Sequence, residues 1–131
     1  MYLLDTNIVI FLFKKKYNVA DKIKKIGMER CLISEVTVAE LKYGAEKSTD
    51  PDRHRKIVNE FINDVQIIPI FDAIDIFAKE KVRLENKGTP MHDNFDVLIA
   101  ATALTHDLIL VTNNTKHFIQ FEGLKLEDWV Q

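Results

Sequence analysis

One cysteine, Cys31, occurs in 131 residues, which excludes an internal disulfide and any zinc site built on several thiolates. A reducing compartment such as the cytoplasm is the expected setting. Four glycines are too few to build a glycine-rich phosphate loop, and neither Leu4 nor Val111 is followed by one, so nucleotide- and dinucleotide-binding folds fit poorly. Long apolar runs are missing as well. The stretch from Tyr2 to Phe13 is interrupted by Asp5 and Asn7, is too short for a bilayer, and has its lysines after it rather than before it, so neither an export signal nor a membrane anchor is expected. There is no excess of positive charge: 18 Lys and Arg stand against 20 Asp and Glu, which excludes a polycation that coats nucleic acid indiscriminately.

What is present is the composition of a soluble globular protein, 47% hydrophobic and 29% charged, at a length that predicts one domain over residues 1–131. The basic residues lie mainly in the first half: residues 1–60 hold 12 basic against 9 acidic side chains, and the remainder 6 against 11. Any nucleic-acid contact must therefore come from local clusters, of which Lys14, Lys15 and Lys16 stand nearest the first polar strand end. The same clusters also suit plain solvated helix faces.

The hydrophobic pattern predicts strands alternating with helices. Tyr2 to Leu4 reads as a strand ending in the polar triplet Asp5-Thr6-Asn7, with a helix from Ile8 to Phe13 behind it. Lys22 to Ile26 reads as a surface helix closed by Gly27, and Arg30 to Ile33 as a second strand. Ser34 caps a helix from Val36 to Glu46 whose buried stripe is Val38, Leu41 and Ala45, with Glu40 on a neighbouring face beside Thr37 and Gly44. Pro51 breaks that helix and another follows to Val65. Gln66 to Phe71 reads as a strand that Pro69 assigns to a sheet edge. Asp72 is expected to cap the next helix, stopped by Gly88 and Pro90. The segment from Asp93 to Thr105 is apolar on every side, as a helix buried between layers would be. Leu108 to Val111 then forms a strand ending in a second polar triplet, Thr112-Asn113-Asn114. Alternating elements of this kind imply a mainly parallel sheet covered on both faces, with ligands at the carboxyl ends of its strands.

Asp5, Glu40 and Asp96 are the acids this arrangement offers to one site. Two carboxylates about 5 Å apart repel by roughly 3 kcal/mol at an effective dielectric near 20, so three together must protonate or bind a cation. All-oxygen donors without a histidine or cysteine cluster favour Mg²⁺ or Mn²⁺, ions that keep waters and bind phosphates. Taken singly, Asp5 and Asp96 also suit helix caps, Glu40 a surface position, and Asn113 and Asn114 a turn. His54, His92, His106 and His117 lack metal-ligand spacing; His92, in the loop before Asp96, is the one expected near the site.

Several ordered segments carry a resemblance. Leu3-Leu4-Asp5-Thr6-Asn7, Ser34 to Gly44, Asp96-Val97-Leu98-Ile99-Ala100-Ala101, Val111 to Phe118 and the closing Gly123 to Trp129 resemble the motifs of PIN-domain nucleases, and their combination resembles VapC toxins of toxin–antitoxin pairs. The resemblance implies a three-layer Rossmann-like α/β fold and an endoribonuclease dependent on Mg²⁺ or Mn²⁺. It further implies dimerisation and inhibition by a VapB-type antitoxin. Asp5, Glu40 and Asp96 match the family's acidic site positions. The fourth, often Asp, is here Asn114 or Asn113, which puts a tightly held second metal in doubt. Thr6, Asn7 and Thr112 would support the site by hydrogen bonds, and Asp93 would serve behind Asp96 or as a cap. The stretch from Tyr43 to Ser48 and the C-terminal segment resemble the branch that cuts initiator transfer RNA in its anticodon loop. A haloacid-dehalogenase-like phosphatase would need a second Asp where Asn7 stands. A catalytically silent module that binds RNA or protein is the reading from another class.

Overall fold

Side-chain alternation along the central strands sorts the apolar residues onto two faces. Leu3, Leu32, Ile68 and Leu110 join one core cluster, whereas their neighbours Leu4, Ile33 and Val111 join the other. The structure, a computed structural model, describes residues 1–130. Its elements are β1 (Tyr2–Leu4), α1 (Thr6–Phe13), α2 (Val19–Ile26), β2 (Cys31–Ser34), α3 (Glu35–Lys47), α4 (Pro51–Asp64), β3 (Gln66–Ile68), α5 (Ile74–Asn86), α6 (Asn94–Thr105), β4 (Ile109–Val111), α7 (Thr115–Phe118) and β5 (Lys125–Glu127). The strands form one parallel sheet in the order β3-β2-β1-β4-β5.

Both faces of this sheet are covered, which gives the three layers expected. Residues from α1 to α4 pack over Leu4, Ile33 and Val111. On the other face α5, α6 and the buried Phe118 of α7 cover Leu3, Leu32 and Leu110. Each fully buried Leu or Ile in these clusters contributes about 1.5–3 kcal/mol relative to an exposed one. Among the described residues no helix is long and apolar enough to cross a membrane.

Ser34 caps α3 as expected, its Oγ accepting from the Val36 amide at 3.0 Å. β3 is an edge strand, with Pro69 just beyond its last residue. Three details differ from the sequence reading. Asp72 makes no cap: Phe71–Ala73 winds as a 3₁₀ turn and α5 starts at Ile74. The buried stripe of α3 is Val36, Thr37, Leu41 and Ala45, with Val38 only half-buried. Finally, Lys125–Glu127 is a strand, held by pairing with β4 rather than by any apolar pattern of its own.

The chain lays β1, β2 and β3 outward in one direction and then returns to place β4 on the other side of β1. The sheet therefore has its topological switch point between β1 and β4, where a crevice opens beyond the strands' carboxyl ends.

Candidate functional site

Asp5 and Thr112 are the first residues after β1 and β4, so they face each other across the switch point. The Asp5 amide donates to the Val111 carbonyl at 2.9 Å, which continues the sheet one step and pins the residue. Asp5 then caps α1, its Oδ1 accepting from the Thr6 amide at 2.8 Å, while Oδ2 accepts from Thr112 Oγ1 at 2.8 Å. Only 6% of Asp5 remains exposed. Burial raises its pKa; the Thr112 and Thr6 hydrogen bonds and His117 oppose that rise, and Asp93 adds to it.

Glu40 is brought to the same crevice by α3. Thr6 Oγ1 donates to Glu40 Oε1 at 2.7 Å, and since that uses its only proton, the buried Thr37 hydroxyl 3.0 Å away must donate to Thr6. A relay Thr37–Thr6–Glu40 thus orients the carboxylate from below. Burial raises the Glu40 pKa, with Thr6 opposing and Asp5 and Asp93 adding.

The third acid arrives on α6. Asp93 caps that helix, its Oδ1 accepting from the amides of Phe95 at 3.0 Å and Asp96 at 3.4 Å. Asp96, in the first turn, has its Oδ2 3.1 Å from His117 Nε2. Its pKa is pushed up to about 6, first by burial, then by Asp93 and Asp5, with His117 opposing and Glu40 adding a little. Asp5, Glu40, Asp93 and Asp96 therefore share one electrostatic field. Among the described residues, however, no three acidic, histidine or cysteine side chains stand close enough to enclose an ion unaided.

Comparison with known proteins gives the family. The PIN-domain family profile matches residues 2–124. The tRNA(fMet)-specific endonuclease VapC of Shigella flexneri is 37% identical over 130 residues, covering 98% of this chain and 97% of the relative. Ribonuclease VapC2 of Haemophilus influenzae is also 37% identical, covering 98% of each chain. This chain belongs to the PIN-domain family and, within it, to the VapC proteins. Among solved structures, the DNA-bound VapBC of Salmonella typhimurium has a chain that superposes with a TM-score of 0.89 at 32% identity, covering 98% of this chain and 97% of its own.

In this VapC-family crevice the residues singled out from sequence separate into two groups. Asp5, Thr6, Glu40, Asp93, Asp96 and Thr112 are drawn together by the bonds and fields just described. Asn7, Asn113 and Asn114 are exposed, and Asn114 enters through its backbone, its amide donating to Thr112 Oγ1 at 3.1 Å. The histidine beside the acids is His117 rather than His92, which lies exposed in the loop before α6. Its signal in the sequence was its place three residues after Asn114, inside the second motif, where α7 turns it toward α6. Thr37 was legible only as a small neighbour of Glu40.

Lys14, Lys15 and Lys16 are exposed at the end of α1, where Lys15 adopts a left-handed φ of 56°. They line one wall of a cleft of about 610 Å³ that Arg53 and His54 line from α4 and that reaches Glu40. A second cleft of about 530 Å³ opens from Glu40 past Thr6 and Asn7. Glu40 is thus common to both.

Proposed function

We propose that this protein is the toxin of a type II toxin–antitoxin pair, an endoribonuclease that hydrolyses RNA phosphodiesters with Mg²⁺ or Mn²⁺. The observation that carries the reading is the buried Asp5 carboxylate at the switch point, with Glu40 and Asp96 beside it, each raised in pKa by burial and by the Asp5 charge. Relatives named as ribonucleases over nearly the whole chain support it.

The donor set fits such an ion. It is all oxygen, it is raised in pKa by burial and by neighbouring carboxylates, and its open spacing suits a cation that keeps water in part of its shell and takes one or two carboxylates directly. Asp5, Glu40 and Asp96 would hold it. Bound there, a divalent cation acidifies water and neutralises charge on the attacked phosphodiester. The protein's own groups do the rest. Thr112 and Thr6 hold Asp5 and Glu40 in fixed rotamers, His117 orients Asp96 through Oδ2, and Lys14, Lys15 and Lys16 receive phosphates along the larger cleft. Hydrolysis places a water oxygen on phosphorus and releases a ribose oxygen that takes up a proton, without a covalent enzyme intermediate.

Initiator transfer RNA, cut in its single-stranded anticodon loop, is the substrate we favour, because relatives at 35–37% identity carry that specificity in their names. The chain acts as a homodimer in the cytoplasm and is held inactive in a hetero-oligomer with a VapB-type antitoxin; solved VapBC complexes are the structural neighbours that motivate this. The test incubates purified protein with transfer RNA and with a short unstructured RNA, in Mg²⁺, Mn²⁺ or chelator. Cleavage that needs the metal and is lost in Asp5→Asn and Asp96→Asn is expected. Cleavage that ignores chelator would remove the metal reading, and no cleavage of any RNA would favour a silent binding module.

A further inference from the structure

Two large aromatic side chains stand in solvent on the smaller cleft. Tyr43 is 67% exposed and Phe95 46%, and together with Thr6, Asn7 and Glu40 they line the same 530 Å³ of space. A single exposed aromatic on a protein surface needs no explanation. Here two, from distant parts of the sequence, meet on the cleft that contains an acid of the site.

Both rings stand on helices, close to the chemistry. Tyr43 follows Glu40 by three residues in α3, and so stands above it on the same helix face. Phe95 directly precedes Asp96, with its amide anchored by the Asp93 cap. Lys47 Nζ lies 5.8 Å from the Tyr43 ring centroid and sets a positive charge at the rim. The cleft lining mixes the apolar side chains of Ile10 and Ala39 with the Asn7 amide and the Glu40 carboxylate. A heteroaromatic ring matches such a mixture, its faces resting on apolar surface while its edge offers donors and acceptors to the polar groups.

We infer that Tyr43 and Phe95 form a nucleobase site, on which unstacked bases of single-stranded RNA rest while the adjoining phosphodiester lies at Asp5, Glu40 and Asp96. This rests on the endoribonuclease reading and adds to it the positioning residues. Stacking on these faces tolerates any base, so the pair selects for single-stranded conformation, and the contact with phosphate remains with the lysines.

The experiment compares Tyr43→Ala and Phe95→Ala with the ring-preserving Tyr43→Phe and Phe95→Tyr. Steady-state cleavage of a short unstructured RNA gives KM and kcat, and the same RNA carrying 2-aminopurine beside the cleaved bond reports stacking by fluorescence. Each alanine variant should raise KM about 5- to 100-fold with kcat little changed and the salt dependence of binding preserved, the range expected when one base no longer stacks. The ring-preserving variants should retain the wild-type KM, and the fluorescence quench seen with wild type should vanish only in the alanine variants. Unchanged KM and quench in the alanine variants would overturn the proposal. So would weakened binding of a co-expressed antitoxin with RNA kinetics intact, which would assign the rings to a protein contact. If the wild-type protein cleaves no RNA, the nuclease reading fails instead, and the fluorescence measurement, which needs no cleavage, still decides the role of the rings.

Discussion

Neutralising one acid should stabilise the metal-free protein. Asp96 has a side chain 23% exposed and a pKa pushed from 3.8 up to about 6 by burial and by the neighbouring carboxylates. The folded state therefore holds its proton more tightly than the unfolded chain does. Stability from that proton is complete below about pH 4, declines as the pH rises toward 6, and is absent above it. At 1.36 kcal/mol per pH unit, the interval from 3.8 to about 6 corresponds to about 3 kcal/mol, a ceiling because the side chain is partly open to solvent, which screens it. Asp96→Asn removes the ionisation, and the favourable contact of the carboxylate with His117 is already counted inside that interval.

The net expectation at pH 7.5 in chelator is a gain of about 1–2 kcal/mol for Asp96→Asn, and a flatter stability profile between pH 4 and 6. Urea unfolding followed by circular dichroism across that pH range measures both. Added Mg²⁺ should raise wild-type stability and leave the variant little changed, because a cation that binds the folded state stabilises it by mass action. An Asp96→Asn protein less stable than wild type in chelator at pH 7.5 would refute the reasoning, since it would mean that burial and the neighbouring acids do not disfavour the Asp96 charge in the fold.

Other consequences follow from the same geometry. Thr112→Val should destabilise by about 1–3 kcal/mol, because it leaves the buried Asp5 oxygen without its donor; as Asp5 then holds its proton still more tightly, the deficit should be larger at pH 8 than at pH 4, readable from urea midpoints. Replacing Lys14, Lys15 and Lys16 by Ala should weaken RNA binding and reduce the slope of log affinity against log salt by about 0.7 for each phosphate the lysines neutralise, and an unchanged slope would remove them as RNA ligands. Phe118→Ala should cost about 3–5 kcal/mol by opening a cavity under α7, and by loosening His117 should lower kcat in the fraction that remains folded.

The alternation of strands and helices was legible because both faces of the sheet are buried, so the three central strands β2, β1 and β4 read as apolar runs closed by Ser34, Asp5 and Thr112. Ser34 and Pro69 announced a helix start and an edge strand through local chemistry alone. β5 was not legible. Its sequence, Lys125–Glu127, alternates charge with one leucine, and only the neighbouring β4 makes it a strand. The strand order was likewise invisible, since no local pattern records that the chain crosses back to the far side of β1. Within the site, the acids and Thr6 and Thr112 stood in short segments near strand ends and helix starts, where position predicts proximity. The contact of His117 with Asp96 depends instead on α7 docking through Phe118 beside α6, a tertiary event. Tyr43 and Phe95 read from the sequence as ordinary helix residues; only their shared cleft distinguishes them.

The fold compensates its acids unequally, and the shortfall argues for an external cation. Asp5 caps α1 and Asp96 stands in the first turn of α6, so each draws on a helix dipole worth about 0.3–1 kcal/mol. Glu40 stands in the second turn of α3 and has no such support, only the Thr6 hydroxyl. Hydrogen bonds and dipoles of this size do not offset burial and the neighbouring carboxylates, and the raised pKa of all three acids records what remains. A helix cap alone gives no reason for that residual cost, because asparagine or serine at Asp5 would cap α1 as well without it, and Asp96 lies inside α6, whose cap is Asp93. The acids are better explained by a positively charged occupant, and the hydroxyls beneath them by the need to hold the carboxylates still while that occupant comes and goes.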